Sequence, residues 1–245
     1  MSVQILISRR WLAAIILAIG LCGMLAGTAR ADDAEEKLGN WMGAVSTVRF
    51  SDHWSIFGQG EVRFWEPASD LNEVLWRFAG HYDINPMAMV GLGYVRVDTW
   101  AFDDDDNDSS RIRIENRFYQ QFALKQAWAR AKFEHRFRLE QRWFDRNDSD
   151  TDYSNRARYR LQVTVPITHE TIQPGAYFIN VFNETFINFD DGDRDFDQNR
   201  LYIAGGHQFT PASNLQLGLL WQARSSADLF RLQFYYTHNF DLRKP

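Results

Sequence analysis

From Arg130 to Trp143 the chain alternates, residue by residue, between two unlike faces. Arg130, Lys132, Glu134, Arg136, Arg138, Glu140 and Arg142 share one face; Ala131, Phe133, His135, Phe137, Leu139, Gln141 and Trp143 share the other. A period of two is the mark of a β-strand, and this run is long against the five or six residues usual in a soluble sheet. The pattern recurs. Ile112, Ile114, Phe118, Phe122 and Leu124 oppose Arg111, Arg113, Glu115, Arg117 and Gln121. Ala157, Tyr159, Leu161, Val163 and Val165 oppose Arg156, Arg158, Arg160, Gln162 and Thr164, and near the end Phe230, Leu232, Phe234, Tyr236 and Phe240 share one face.

Alternation alone does not say which face looks inward. Strands of about ten or more residues suit a tilted crossing of a bilayer. Aromatic residues gather near strand ends, as girdles at the two membrane interfaces would: Trp41, Trp54, Trp65, Trp100, Trp128, Trp143, Tyr153, Phe189, Phe209, Trp221 and Phe240. Connections alternate between short ones (Asn85-Pro86, Lys125–Trp128, Thr168–Pro174, Thr210–Asn214) and longer or charged ones (Ala101–Ser110, Asp145–Tyr153, Asp190–Asp197). Short periplasmic turns and longer outer loops have that asymmetry. An Arg facing lipid at the midplane costs about 2–4 kcal/mol, so several per strand would exceed the roughly 5–15 kcal/mol stability of a domain. In a membrane barrel the Arg-rich faces must line the lumen.

The N-terminus agrees with export. Arg9 and Arg10 precede an apolar run from Trp11 to Gly27, and Ala29-Arg30-Ala31 has the small-x-small form of a signal cleavage site. Residues 1–31 are therefore expected to be a cleaved signal and 32–245 a single barrel domain; a retained helix is the alternative. Ser8-Arg9-Arg10 lacks the rest of a twin-arginine signal, and Leu21 is too large to precede a lipidated Cys22, the only cysteine. The chain is 15% aromatic and 24% charged, with a mean hydropathy of −0.42 and no second long apolar run, which excludes a helical membrane protein. Removing Arg9, Arg10 and Arg30 takes the formal charge from −5 to −8, with no acid in the segment lost. A general nucleic-acid binder would need a basic surface.

About eleven strands can be traced, near 41–50, 54–65, 72–84, 87–99, 111–124, 129–144, 155–166, 175–189, 197–209, 214–224 and 229–240. Single-chain bacterial barrels normally have an even number, so the expectation is an all-β, antiparallel up-and-down barrel of ten to twelve strands, with twelve favoured. The N-terminal half is the place for a misread hairpin, because Trp54–Trp65 and Met87–Trp100 mix charged and bulky apolar residues in one phase.

The stretches FSDHWSIFGQGEVRFWE (Phe50–Glu66), RLEQRWF (Arg138–Phe144), RARYRLQ (Arg156–Gln162), FNETFINF (Phe182–Phe189) and FDQNRLYIAGGHQF (Phe196–Phe209) run in order through most of the chain. Together they resemble the bacterial family catalogued as domain of unknown function 2490, above all in Asn183-Glu184 with Asn188 followed by Asp197-Gln198-Asn199-Arg200. The resemblance implies an outer-membrane barrel and no established activity. The tail Asp241–Pro245 departs from the terminal aromatic residue that the barrel assembly machinery commonly reads. Either Phe240 serves internally or the last strand extends through Leu242.

The expected lumen carries Arg111, Arg113, Glu115 and Arg117; Arg130, Lys132, Glu134, Arg136, Arg138, Glu140 and Arg142; Arg156, Arg158 and Arg160; and Glu184 and Arg200. A wall so rich in Arg would concentrate anions, as a narrow pore or a binding site for anionic or polar solutes. The competing reading is a structural network in which these charges pair across a filled lumen. The acidic connections carry Asp103–Asp106 and Asp108; Asp145, Asp148, Asp150 and Asp152; and Asp190, Asp191, Asp193, Asp195 and Asp197. They read as solvated loops; the alternatives are loosely held divalent cations shared with lipopolysaccharide, or a structural or interaction barrel whose acidic loops contact lipopolysaccharide or a surface partner. Phe196 and Tyr202 stand where an EF-hand needs Gly and Glu. Lipid hydrolysis would need a nucleophile, base and orienting group. His53 and Ser55 share a strand face without a third partner, and His81, His135, His169, His207 and His238 stand alone. No catalytic residue, metal site or cofactor is assigned, and an enzyme is not expected.

Overall fold

The structure is a computed structural model that describes residues 38–101, 111–146, 149–190, 193–225 and 227–243. The expected signal, Asp103–Asp108 and parts of the other two acidic stretches lie outside the described residues. Eleven strands follow one another among the described residues: β1 Gly39–Arg49, β2 Trp54–Glu66, β3 Ser69–Asn85, β4 Ala88–Trp100, β5 Arg111–Trp128, β6 Ala131–Arg146, β7 Ser149–Pro166, β8 Tyr177–Asp190, β9 Asp193–Gln208, β10 Ser213–Arg224 and β11 Asp228–Asp241. Each pairs with its chain neighbour in antiparallel fashion, and β1 meets β11 to close the ring. That seam is parallel, from Gly39 opposite Arg231 to Arg49 opposite Asp241. The all-β barrel is as expected, but the favoured twelve strands and the wholly antiparallel order are corrected. Eleven strands laid up and down leave the first and last pointing the same way, so one pair must be parallel. Hairpins are written locally in the chain, whereas closure joins residues about two hundred apart.

One end of the barrel carries the connections after the odd-numbered strands, the other those after the even-numbered ones. The C-terminal residues lie at the first end, beside the turn after β1. There Leu242 N donates to Arg49 O at 2.8 Å, and Arg243 donates to Asp52 Oδ1 at 3.1 Å. The turn after β5 is tighter than the sequence suggests. β5 runs through Trp128, and Ala129, at φ 51°, makes a two-residue turn with Arg130.

Outward positions form an apolar belt. Trp76 is 51% exposed and Leu92 67%, with Phe78, Phe118, Phe137, Leu139, Ile203, Leu217 and Phe234 also exposed. Inward positions are polar and buried. The barrel is thus the reverse of a soluble one, in which apolar side chains would fill the centre. Two apolar clusters interrupt the polar lumen: Leu75, Ala79, Val95, Val97 and Tyr119 on β3–β5, and Trp41, Tyr202, Ala204 and Leu220 on β1, β9 and β10. Trp41, placed by the sequence in an interfacial girdle, is instead inside the lumen under the Arg63 guanidinium, 3.9 Å from its ring centroid.

The half of the lumen away from the C-terminus is filled. Four rungs of the sheet set Arg opposite Arg: Arg113 with Arg146 and Arg117 with Arg142, and Arg138 with Arg158 and Arg136 with Arg160. Like charges directly opposite repel, and carboxylates threaded between them offset this. Glu115 accepts from Arg117 Nε at 2.6 Å and Arg142 Nε at 2.5 Å. Glu140 accepts from Arg156 Nη2 and from Arg158 Nη1, each at 2.6 Å. A bulge opposite Phe186/Ile187 leaves Asp197 as an extra residue on β9, and Asp197 accepts from Arg156 Nη1 at 2.8 Å. Side chains from six strands are sealed from solvent at this level, among them Leu75, Val97, Glu115, Glu140, Gln222 and Leu229.

Glycines make room for the largest inward rings. Gly93 lies opposite Tyr119, and a Cβ at Gly93 would collide with that ring, whereas one at outward Gly58 would meet nothing within 4 Å. Gly93→Val is expected to lower stability by about 1–3 kcal/mol through overpacking, with Gly58→Ala indistinguishable from the native protein in the same thermal melt. Equal midpoints for the two would contradict this packing. Glu140→Gln leaves two buried guanidiniums short of their counter-charge and is expected to cost about 3–5 kcal/mol in urea unfolding. A cost below about 1 kcal/mol, as for an exposed pair, would show that the network does not hold the lumen.

Candidate functional site

Below the filled half, toward the C-terminal end, the lumen opens into two adjoining cavities. The first, of about 260 Å³, is walled by Arg136, Arg138, Arg160 and Lys125 with Glu134, and by Ser55, His81 and Tyr119. It reaches the end of the barrel where Arg49, Asp83 and the exposed Lys125 stand. The second, of about 290 Å³, shares Phe57, Arg136 and Arg160 with the first. It adds Arg77, Arg158 and Arg200, the amides of Gln59, Gln162 and Gln233, and the rings of Trp41 and Tyr202.

Basic groups outnumber acids on these walls. Arg136 gives Nη2 to Glu184 at 2.8 Å, and Arg160 gives Nη2 to Glu134 at 2.7 Å. Arg158 shares Glu184 with Arg136 through Nη2, at 2.9 Å. Arg138, only 4% exposed, has no close carboxylate. It donates Nη2 to the Gln121 amide oxygen at 2.8 Å and stacks on Tyr119 at 4.1 Å, with Glu140 no nearer than 3.7 Å. Its Nε and Nη1 are buried without a hydrogen-bond partner, as are the Nε atoms of Arg77, Arg136 and Arg160. Arg77 also finds only an amide, Gln59 Oε1, at 2.7 Å. Buried donors left unmatched cost about 1–3 kcal/mol each, more when charged, so this wall carries more donors than its own acceptors match.

Of the residues that sequence reasoning placed in the lumen, Glu134, Arg136, Arg138, Arg158, Arg160, Glu184 and Arg200 line the two cavities. Glu115, Arg117, Glu140, Arg142 and Arg156 belong to the filled half. Arg113 faces Thr99 and Glu73 near the other rim. Two placements are corrected. Arg130 is in the exposed turn before β6. A bulge at Thr99/Trp100 shifts Arg111 out of phase, so that it donates to Asp98 Oδ1 at 3.0 Å, beside Arg96 on the outer alternation of β4.

Sequence reasoning missed Glu61, Arg63, Arg77, Gln233 and Tyr235. The mixed phase of β2, and the rings that surround Arg231 and Gln233 on β11, gave no clear signal there. It also missed that Ser55 sits opposite His81 in the sheet register, with Asp83 two residues on. These three do not form a relay: His81 Nε2 meets the Gln121 amide nitrogen at 2.9 Å, Asp83 Oδ2 takes Arg49 at 2.5 Å, and no hydrogen bond joins Ser55 to His81. Outward histidines pack on rings instead, His207 on Tyr177 and His135 on Tyr159. Among the described residues no group of His, Cys, Asp or Glu could hold a metal ion. Asp152 pairs with Arg146, and Asp190 accepts from Ser154 and the Asn155 amide.

No curated protein and no protein of solved structure matches the chain. A family model described as protein of unknown function (DUF2490) matches residues 38–240, almost the whole of the barrel. The chain, whose strands close into a barrel, therefore belongs to the DUF2490 family.

Proposed function

We propose that this is an outer-membrane barrel that binds, rather than conducts, a small anionic solute in a vestibule open toward the periplasm. The outward apolar belt supports a lipid environment, since water would leave those rings and aliphatic chains uncovered. Short turns at the C-terminal end and acidic connections at the other support a periplasmic C-terminus, which places the vestibule mouth on the periplasmic side. Export past the inner membrane, surrounding lipid and lipopolysaccharide, and insertion by the barrel assembly machinery follow from that reading. The filled half of the lumen argues against a pore.

The observation that carries the binding role is Arg138, buried on the wall of the first cavity with two N–H groups unmatched. An arginine offers its donors in a planar fork suited to carboxylate and phosphate oxygens. Binding is favoured over catalysis because His81 is held by Gln121 and Asp83 by Arg49, and no hydrogen bond joins Ser55 to His81. A second reading, contact with lipopolysaccharide at the far rim, draws support from Arg96 and Arg111, which flank Asp98 on the outer face near the end of β4. Divalent cations shared between acidic loops and lipid phosphates belong to that reading.

The mature barrel in a planar bilayer is expected to insert without ion current. Discrete anion-selective steps would contradict a closed lumen. In detergent it is expected to bind inorganic phosphate or acetate, and Arg138→Gln is expected to weaken this by roughly tenfold or more, the scale of one charge-assisted hydrogen bond. Undiminished affinity in a folded Arg138→Gln variant would remove Arg138 from the site.

A further inference from the structure

The second cavity differs from the first in what it leaves unmatched. Gln233 is 3% exposed and lines this cavity, yet among the described residues no hydrogen bond engages its side-chain amide. Gln162, on the same wall, is likewise unengaged. Their neighbours are committed. Asn180 donates to Gln216 Oε1 at 2.9 Å, Gln216 donates to Asn214 at 3.2 Å, and Gln59 donates to Glu61 at 2.7 Å. Arg200 bonds an amide, Gln198 Oε1 at 3.2 Å, and stacks between Trp41 and Phe186.

A primary amide carries both a carbonyl acceptor and two N–H donors. A bare oxyanion has only acceptors. It can satisfy Arg138, Arg136 and Arg160, but it has nothing to offer the carbonyl oxygens of Gln162 and Gln233. A hydroxyl both donates and accepts, and so matches an amide on both counts. The two cavities adjoin through Arg136 and Arg160, so one ligand can reach both walls. Each lies near the lower bound of roughly 300 Å³ for small-molecule sites, which restricts the pair to a compact molecule.

We infer that the ligand is a hydroxylated anion of monosaccharide size, a sugar acid or sugar phosphate. Its charged group lies against Arg138, Arg136 and Arg160, and its hydroxyls on the free amides of Gln233 and Gln162. This rests on the anion-binding reading above and names the chemistry of its ligand.

Calorimetric titration of the full mature barrel in detergent tests it with five probes: acetate, inorganic phosphate, glucose, glucuronate and glucose 6-phosphate. At least one sugar anion is expected to bind about tenfold or more tighter than the simple anion bearing the same charged group, with glucose alone weaker than either. Gln233→Leu is expected to shrink that ratio to below about threefold. Gln162→Leu is a second variant should Gln233→Leu fail to fold. Equal affinity for sugar anions and simple anions overturns the hydroxyl assignment and leaves the anion site standing. A ratio that survives both variants overturns the role of the amides. Absence of binding by every probe overturns the anion-binding reading itself.

Discussion

Arginines stand side by side on neighbouring strands of the lumen wall, and carboxylates inserted between them make that arrangement tolerable. Glu115 bridges Arg117 and Arg142, and Glu140 bridges Arg156 and Arg158. Without these acids the like-charged rungs of β5, β6 and β7 would repel inside a partly desolvated space, where charges act on each other more strongly than in water. The rest follows from their presence. The charged faces can turn inward, the aliphatic and aromatic faces are then free to turn outward, and the filled half becomes a floor for the cavities below it. The surplus of arginine over carboxylate is not spread evenly. It collects at Arg77 and Arg138, beside open space and not within the packed half.

This arrangement was partly legible in the sequence. β5, β6 and β7 alternate so regularly that the inward face of almost every residue could be read directly, Arg136, Arg138 and Arg158 included. β4 defeated the same reading because its inward side chains are Met89, Val95 and Val97 while Arg96 and Asp98 lie on its outward side. Its charges thus fall in the phase opposite to those of β5–β7. Trp41 looked like a girdle residue because ring type says nothing about phase in a strand whose other positions are small or mixed. Arg111 followed the alternation of its strand until a bulge, which no residue type announces, turned it to the outside.

Closure and juxtaposition were the least legible features. The parity of the ring depends on how β1 finds β11, and local hairpin signals are silent about a pairing so distant in the chain. The opposition of Ser55 and His81, the junction of the two cavities at Arg136 and Arg160, and the idle amide of Gln233 all arise from register between strands. A polar residue among Phe230, Leu232, Phe234 and Tyr236 is only an alternation in the sequence. In the barrel it is an unpaired group on a cavity wall. Family membership adds the extent of the shared domain, residues 38–240, which coincides with the ring of strands.

The proposed membrane barrel is turned inside out, with its rings set toward lipid and charge at its centre. Single-tryptophan proteins reconstituted in bilayers with brominated acyl chains test that most directly, since bromine quenches indole fluorescence only on contact. A protein keeping only Trp76, exposed midway along β3, should be strongly quenched. One keeping only Trp41, buried in the lumen beneath Arg63, should keep its fluorescence. Quenching of Trp41, or its absence at Trp76 in an inserted and folded barrel, would contradict the arrangement.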